Sequence, residues 1–311
     1  MWRLVLHYNL AMGDTTVSDG LGHHSVDLET HSIPSIIKWT GGKRSQAAQL
    51  AKFMPSYNKY FEPFLGGGAM LYLAAHRGAV ANDIYRPLID LWKLIQSNPE
   101  ALIKAYTKQW EMLSADLDAF NEGTNPANEK VPATFYRIRD KFNMDPNPID
   151  LNFLMRTCVN GIIRFNSKQE FNNSFHLSRR GMHPDRLEKI INKWSSRIVG
   201  VEFLCHDYKE VLETSMPGDL VYLDPPYAGT KQRYAGLLSP HELFSELEKL
   251  NFRGVKWMLS YDGKRGHEDL TYAIPTEIYA KRYYLTSGIS AVKKVLGGKN
   301  EQVKEALYLN F

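Results

Sequence analysis

"VYLDPPYAGT", residues 221–230, runs three β-favouring residues into an acid, two consecutive prolines and a tyrosine. Proline fixes its own φ and has no N–H for a sheet ladder, so strands do not continue through Pro225 and Pro226. Asp224-Pro225-Pro226-Tyr227 therefore reads as a rigid corner just past the end of a buried strand. In open parallel α/β sheets, ligands bind outside the carboxyl ends of the strands. The corner thus predicts a parallel-rich α/β sheet with chemistry at its carboxyl edge.

The chain upstream supports that frame. "KYFEPFLGGGAMLYLAAH" (59–76) reads as a strand, a triple glycine and a helix. "GAVANDIYRPLIDLWKLIQ" (78–96) reads as a short strand ending in Asn82-Asp83, then a helix after Pro87. Strand, glycine turn, helix, strand and acid is the order of a mononucleotide-binding half. "IIKWTGGKRSQAAQL" (36–50) predicts a helix from about Ser45, with Ala47, Leu50 and Phe53 on one side. Residues 97–197 are mostly helical in pattern ("ALIKAYTKQWEML", "PATFYRIRDKFN", "DLNFLMRTCVNGIIRF", "PDRLEKIINKWSSR"), with an irregular piece at "NSKQEFNNSFHLSRRGMH". Strands then return in "IVGVEFLCHD", "LVYLDPPY", "VKWMLSYDG" and "EALYLNF", with a helix at "HELFSELEKL". The expected organisation is a mobile extension over residues 1–33, a sheet domain from 34–96 and 198–311, and a helical insertion at 97–197.

A chain of 311 residues with 43% hydrophobic content holds ample core. It has no apolar run near the roughly 20 residues that span a membrane. Its start, "MWRLVLHYNLAMGDTT", is interrupted by His7, Tyr8 and Asn9 and does not read as a signal peptide. Cys158 and Cys205 lack a CxxC or CxxH neighbour. They read as two small buried hydrophobes in a reduced, cytoplasmic, monomeric protein without a zinc site. The net charge of +4 permits a polyanionic partner.

The glycine motifs differ in weight. Gly66 and Gly68 form G-x-G, but the third fingerprint glycine falls on Leu71, so the dinucleotide pattern is incomplete. Asp83, ending the next strand, stands where such folds grip a ribose or adenosyl group. "WTGGKRS" is not a P-loop, because the first glycine falls on Ile37 and Arg44 follows the lysine. Asp224 has three possible roles: metal ligand, general base, or acceptor for a bound group. Asp207 and Asp262 are potential co-ligands, but nothing in the sequence fixes their convergence. The acceptor role uses all four corner residues. A carboxylate and a neighbouring carbonyl held by proline accept both hydrogens of an exocyclic NH₂, and a tyrosine offers its face to a planar base.

Lys38-Trp39-Thr40-Gly41-Gly42-Lys43, Phe61-Glu62-Pro63-Phe64-Leu65-Gly66-Gly67-Gly68, Asn82-Asp83 and Asp224-Pro225-Pro226-Tyr227, in this order, resemble the motifs of the Dam-type (alpha subgroup, D12 class) DNA adenine-N6 methyltransferases. The resemblance covers about residues 35–311. It implies a Rossmann-like sheet with a target-recognition insertion, S-adenosylmethionine as cofactor and double-stranded DNA as partner, with no metal. It also implies that Trp39, Lys43, Phe64, Gly66, Gly67, Gly68 and Asp83 border the cofactor. Asp207 and Tyr208 would sit near its adenine. Asp224 to Tyr227 would hold the target base, with Asp224 also touching the cofactor. Ile162 and Ile163 depart from the bulkier residues of many relatives. Readings as an RNA adenine or protein-amide methyltransferase, or as a DNA-binding protein without catalysis, compete with this one. The amide enzymes would carry Asn at position 224.

Residues 161–200 carry eight basic against three acidic residues, a net +5. Within them Arg164, Lys168, Arg179, Arg180, Lys189 and Lys193 are candidate DNA contacts. Asn166, with Gln169, Asn172 and Asn173, is a candidate reader of base edges. Lys189 and Lys193 are four apart on an expected helix and suit phosphate. Lys293, Lys294 and Lys299 form a second basic stretch.

Overall fold

The computed structural model describes residues 33–39, 41–124, 131–161, 163–176, 179–226, 238–265, 268–269, 273–289 and 302–311, without the side chains of 262–265, 268–269, 286–289 and 302–304. The extension over residues 1–32, Thr40, Ile162, Tyr227, Lys293, Lys294 and Lys299 thus lie outside the described residues.

The expected mononucleotide-binding half is present. It comprises α1 (Ala47–Ala51), β1 (Tyr60–Glu62), α2 (Ala69–Ala74), β2 (Val80–Asn82) and α3 (Arg86–Ser97). Four helices follow: α4 (Pro99–Asn121), α5 (Ala133–Met144), α6 (Pro148–Thr157) and α7 (Pro184–Arg197). Next come β3 (Glu202–Leu204), α8 (Tyr208–Glu213), β4 (Leu220–Leu223), α9 (Pro240–Phe252), β5 (Lys256–Arg265), β6 (Glu268–Asp269), β7 (Lys281–Ile289) and β8 (Gln302–Leu309). The sheet order is β3-β2-β1-β4-β5-β8-β7, with β6 paired to β5. Strands β1 to β5 pair in parallel, whereas β8 runs antiparallel between β5 and β7. The order reverses between β1 and β4, which makes their carboxyl ends the switch point of the sheet.

Helices cover both faces, so the central strands are apolar throughout. Leu220 and Tyr222 of β4 face one core and Val221 and Leu223 the other. Met258 and Leu307 join the first core, while Trp257, Leu259, Ala306 and Tyr308 join the second. This is the period of two expected of strands buried on both sides.

Local chemistry starts the insert helices. Asn98 precedes Pro99 and accepts from the Ala101 N–H at 3.1 Å; Asn147 precedes Pro148 and accepts from Asp150 at 2.9 Å. Each is an N-cap followed by proline at the first helical position. Helix α6 is buried from Asp150 to Thr157. The insert is braced on the segment leading to Trp39. Arg156 donates to the Ile36 carbonyl, and the Trp194 indole donates to Pro34 O at 2.9 Å. Arg197 donates to Tyr72 O and Leu73 O at the end of α2.

Three expectations need correction. The helix expected through "DLNFLMRTCVNGIIRF" stops at Thr157, where Cys158 turns extended; Asn160 is then left-handed and the chain doubles back, bridging Phe165 to Phe171 and Cys158 to Phe175. Strand β7 and helix α8 had no counterpart in the sequence reading. Strand β7 lies at the sheet edge and exposes Lys281, Arg282 and Tyr283, so it shows no apolar run. Cys158 is buried as expected, but Cys205 is only half-buried.

The glycine turn rests on Trp92 of α3. That ring packs against Trp194 at 4.9 Å and Phe203 at 6.0 Å and donates to Gly66 O at 3.2 Å. Gly68 caps α2 with φ 65°, and a Cβ there would lie 2.8 Å from Trp92 Cζ2. Gly68→Ala is expected to destabilise the fold by about 2–4 kcal/mol, from left-handed strain plus overpacking. Gly78→Ala, at φ +88° with open space around its Cβ, should lose the strain part alone, about 1–2 kcal/mol. Urea unfolding of both variants measures the difference.

Candidate functional site

A cavity of about 410 Å³ opens at the switch point, walled by the loops that leave β1, β2 and β4. Its size falls in the range of about 300–1,000 Å³ usual for small-molecule sites. The β1 loop supplies Glu62 to Gly68, the β2 loop Asp83 to Tyr85, and the β4 corner Asp224 to Pro226. Trp39, Gly41 to Lys43, Phe165, His206 to Tyr208, Leu238 and Glu242 also line it. Every described residue named for the cofactor or the acid corner lines this one space.

Asp224 leaves β4 directly beneath a lysine. Lys43 is 4% exposed, and its Nζ donates to Asp224 Oδ1 at 2.7 Å and to Gly41 O at 3.2 Å. Burial pushes the Asp224 carboxyl up to about 6, even though Lys43 pulls the other way. Lys43 thus meets the corner carboxylate itself, a contact more specific than bordering the cavity. Deeper in the wall, Glu62 accepts from the Tyr60 hydroxyl at 2.8 Å, and burial raises its carboxyl to about 8. Tyr222 shares a hydrogen bond with Ser260 at 2.9 Å on the cavity floor.

Asp83 faces the cavity while holding the glycine turn. Its Oδ2 accepts from Gly66 N–H at 3.0 Å and its Oδ1 from Tyr85 N–H at 3.0 Å. Burial raises its carboxyl to about 6 against these backbone donors. Each oxygen keeps a second lone pair for a ligand. Asn82 stitches the loops together, donating to Pro63 O and His206 O and accepting from His206 N–H.

The remaining cavity candidates divide by exposure. Tyr208 is buried, its ring 5.1 Å from Phe64, and its hydroxyl has no hydrogen-bond partner among the described residues. An unsatisfied buried hydroxyl on a cavity wall fits a polar ligand. Asp207 is exposed and caps α8 through Lys209 N–H at 2.9 Å. Trp39 lies 6.0 Å from Tyr85, which meets Phe165 edge-on at 5.5 Å. Among the described residues, no group of three or more His, Cys, Asp or Glu is arranged to hold a metal ion.

The basic candidates do not share one setting. Arg164, Lys168, Arg179, Lys189 and Lys193 are exposed. Arg164 neighbours Phe165 in the cavity wall. Arg180 is paired with Asp118 at 2.6 Å. Asn166 spends its amide on its own hairpin turn, donating to Glu170 and accepting from the Lys168 and Glu170 N–H groups. Asn173 is buried and donates to Val159 O. A composition of basic and amide residues does not distinguish turn-builders from presented side chains. Sequence reasoning also missed Glu62, Tyr85 and Phe165 in the cavity wall, and Glu305, whose carboxylate lies 3.6 Å from Lys43 Nζ. Phe165 carried a signal, an aromatic beside Arg164 just before the irregular piece of the insert.

A model of the family described as D12 class N6 adenine-specific DNA methyltransferase matches residues 39–293. A type II methyltransferase of Lactococcus lactis subsp. cremoris is 29% identical over 222 residues, spanning 70% of this chain and 73% of the relative. The retron Ec67 DNA adenine methylase of Escherichia coli is 27% identical over 257 residues, 81% of each chain. A DNA adenine methylase of Haemophilus influenzae is 29% identical over 211 residues, 64% of this chain and 68% of its own. With the family model spanning most of the chain, and with the acid corner and the glycine turn facing one cavity, the chain belongs to the D12 class of N6 adenine-specific DNA methyltransferases.

Proposed function

We propose that the chain transfers a methyl group from S-adenosylmethionine to N6 of a specific adenine in duplex DNA, with that base turned out of the helix into the cavity. The observation that carries this reading is Asp224, held at the end of β4 by two prolines and opening onto the same space as the Gly66–Gly68 turn. The cofactor supplies an activated methyl group. Gly66 to Gly68 and Phe64 would hold its amino-acid end, Asp83 would accept from its ribose, and Tyr208 and Asp207 would meet its adenine. Asp224 and the Pro225 carbonyl accept hydrogen bonds from the target amine. Those bonds favour a pyramidal nitrogen and stabilise the positive charge that develops as the methyl arrives. Pro226 keeps the corner rigid, and the resemblance assigns Tyr227 the face of the extruded base. Residues 97–197 form the target-recognition region in this reading, and 34–96 with 198–311 the catalytic region.

The direct test is Asp224→Asn and Asp224→Ala. Both are expected to fold and to bind S-adenosylhomocysteine. Methyl transfer to duplex DNA should fall by at least about 10²-fold, the loss typical of one preorganised charge-stabilising group. Labelled methyl incorporation into duplex DNA, RNA and protein reads the outcome, and near-normal transfer would overturn the assignment.

Asp83 gives a pH-dependent check. Its carboxylate is the accepting form, and its folded pKa is about 6. Affinity for S-adenosylhomocysteine should therefore be full above this pH and fall as pH drops through it. Asp83→Ala should weaken binding by about 1–3 kcal/mol at neutral pH. Calorimetry between about pH 5 and pH 8 should show a flattened profile in Asp83→Asn.

For DNA, Lys189→Ala or Lys193→Ala should weaken cognate and random duplexes alike and lower the salt slope by about one unit. Arg164→Ala or Arg179→Ala should weaken the cognate duplex more, by about 1–3 kcal/mol. Arg180→Ala should act mainly through the lost Asp118 pair. Binding against salt on both duplexes separates these outcomes.

A further inference from the structure

Asp224 is not alone with its lysine. Glu305, on β8 opposite Gly263 of β5 and Leu285 of β7, reaches the other side of Lys43. Its Oε2 lies 3.6 Å from Lys43 Nζ, beyond the 2.7 Å contact that the same ammonium makes to Asp224. That oxygen is buried and accepts no hydrogen bond from the described residues. Such an acceptor is expensive to leave unpartnered, and a small shift of the lysine would satisfy it.

The charges give this arrangement a purpose. Lys43 paired with Asp224 is neutral. A neutral pair stabilises little positive charge on an incoming nitrogen, and an ammonium beside that nitrogen repels it. The other described groups around the pair do not supply the missing charge. Glu62 and Tyr60 on β1 share a hydrogen bond, with the glutamate raised to about 8, and Tyr222 on β4 and Ser260 on β5 are hydroxyls bonded to each other. Among the described residues, Glu305 is the other carboxylate paired with the lysine.

We propose that Glu305 is a positioning residue for methyl transfer, drawing Lys43 toward itself as an amine docks on Asp224, so that the buried cluster keeps one net negative charge beside the reacting nitrogen. The proposal rests on the reading of Asp224 as the amine acceptor. Lys43 is then a counter-ion shared by two carboxylates: Asp224 holds it when the site lacks a base, and Glu305 holds it during transfer. The same geometry explains why Glu305 opposes Lys43 in setting the acidity of Asp224.

The test uses the full chain with duplex DNA in single-turnover methylation. Glu305→Gln keeps the shape and removes the charge. It should bind S-adenosylhomocysteine as the unmodified protein does but transfer methyl about 10- to 100-fold more slowly, the size expected for one charge a few ångströms away in a partly screened site. Glu305→Asp, which keeps the charge and shortens its reach, should lose less. In a Lys43→Met background the Glu305→Gln substitution should cause little further loss, because its work passes through the lysine. A readout independent of turnover is the titration of Asp224 in ¹³C-aspartate-labelled protein, assigned by Asp224→Asn. In Glu305→Gln the carboxyl should titrate at a lower pH, since a neighbouring negative charge has gone. A Glu305→Gln rate equal to that of the unmodified protein, or a loss undiminished in the Lys43→Met background, overturns the proposal. Retained transfer in Asp224→Asn overturns the underlying reading instead, whatever Glu305→Gln does.

Discussion

A lysine almost wholly shut away from water, bonded to an acid 181 residues further along the chain, is the constraint on which the site depends. Removing both charges from water offsets much of their attraction, so the Lys43–Asp224 pair adds little net stability. It contributes registry instead. The Lys43 carbonyl receives the first turn leading into α1 through Gln46 and Ala47 N–H, so the root of the lysine side chain is fixed by backbone and its ammonium is held within reach of both carboxylates. The loop before the first helix and the corner after the fourth strand can close on each other in one way. A ligand entering between them meets a preformed wall.

How much of this was legible in the sequence follows from how local each determinant is. The acid corner could be read because proline's restrictions act on its own residue and its neighbour. The glycine turn could be read because Gly66 to Gly68 stand between an apolar strand and an apolar helix. Asp83 was expected just past the second strand and lies there, facing the cavity, yet its bonds to Gly66 and Tyr85 required the loops to be seen together. Glu305 sits in "VKEALYLN" like any outward-facing residue of a strand. It reaches Lys43 because β8 enters between β5 and β7, an order that neighbours in sequence do not reveal. Asn166, Asn172 and Asn173 looked alike as text. A turn takes the first, the surface keeps the second and the core takes the third.

The helical insert is not a loosely tethered module. Its apolar residues, among them Leu113, Phe135, Phe153 and Trp194, join the same core as α2 and α3. Its polar ties run to carbonyls of Ile36 and Pro34, just ahead of Trp39 and Lys43. Its hairpin puts Phe165 against Tyr85 in the cavity wall. A duplex bound by residues of this region would thus be held at a fixed height above the acid corner.

The late strand β8 also shapes how the molecule comes into being. Strand β7 is synthesised before β8 but lies outside it, so β5 cannot complete its hydrogen-bonded ladder until β8 itself has left the ribosome. Through that interval a nascent chain presents the unpaired edge of β5, including Trp257 to Tyr261, to its surroundings. A message broken shortly before codon 302 would yield a product with β1 to β5 present and an open sheet edge. Such a fragment is suited to chaperone capture or aggregation rather than to partial activity.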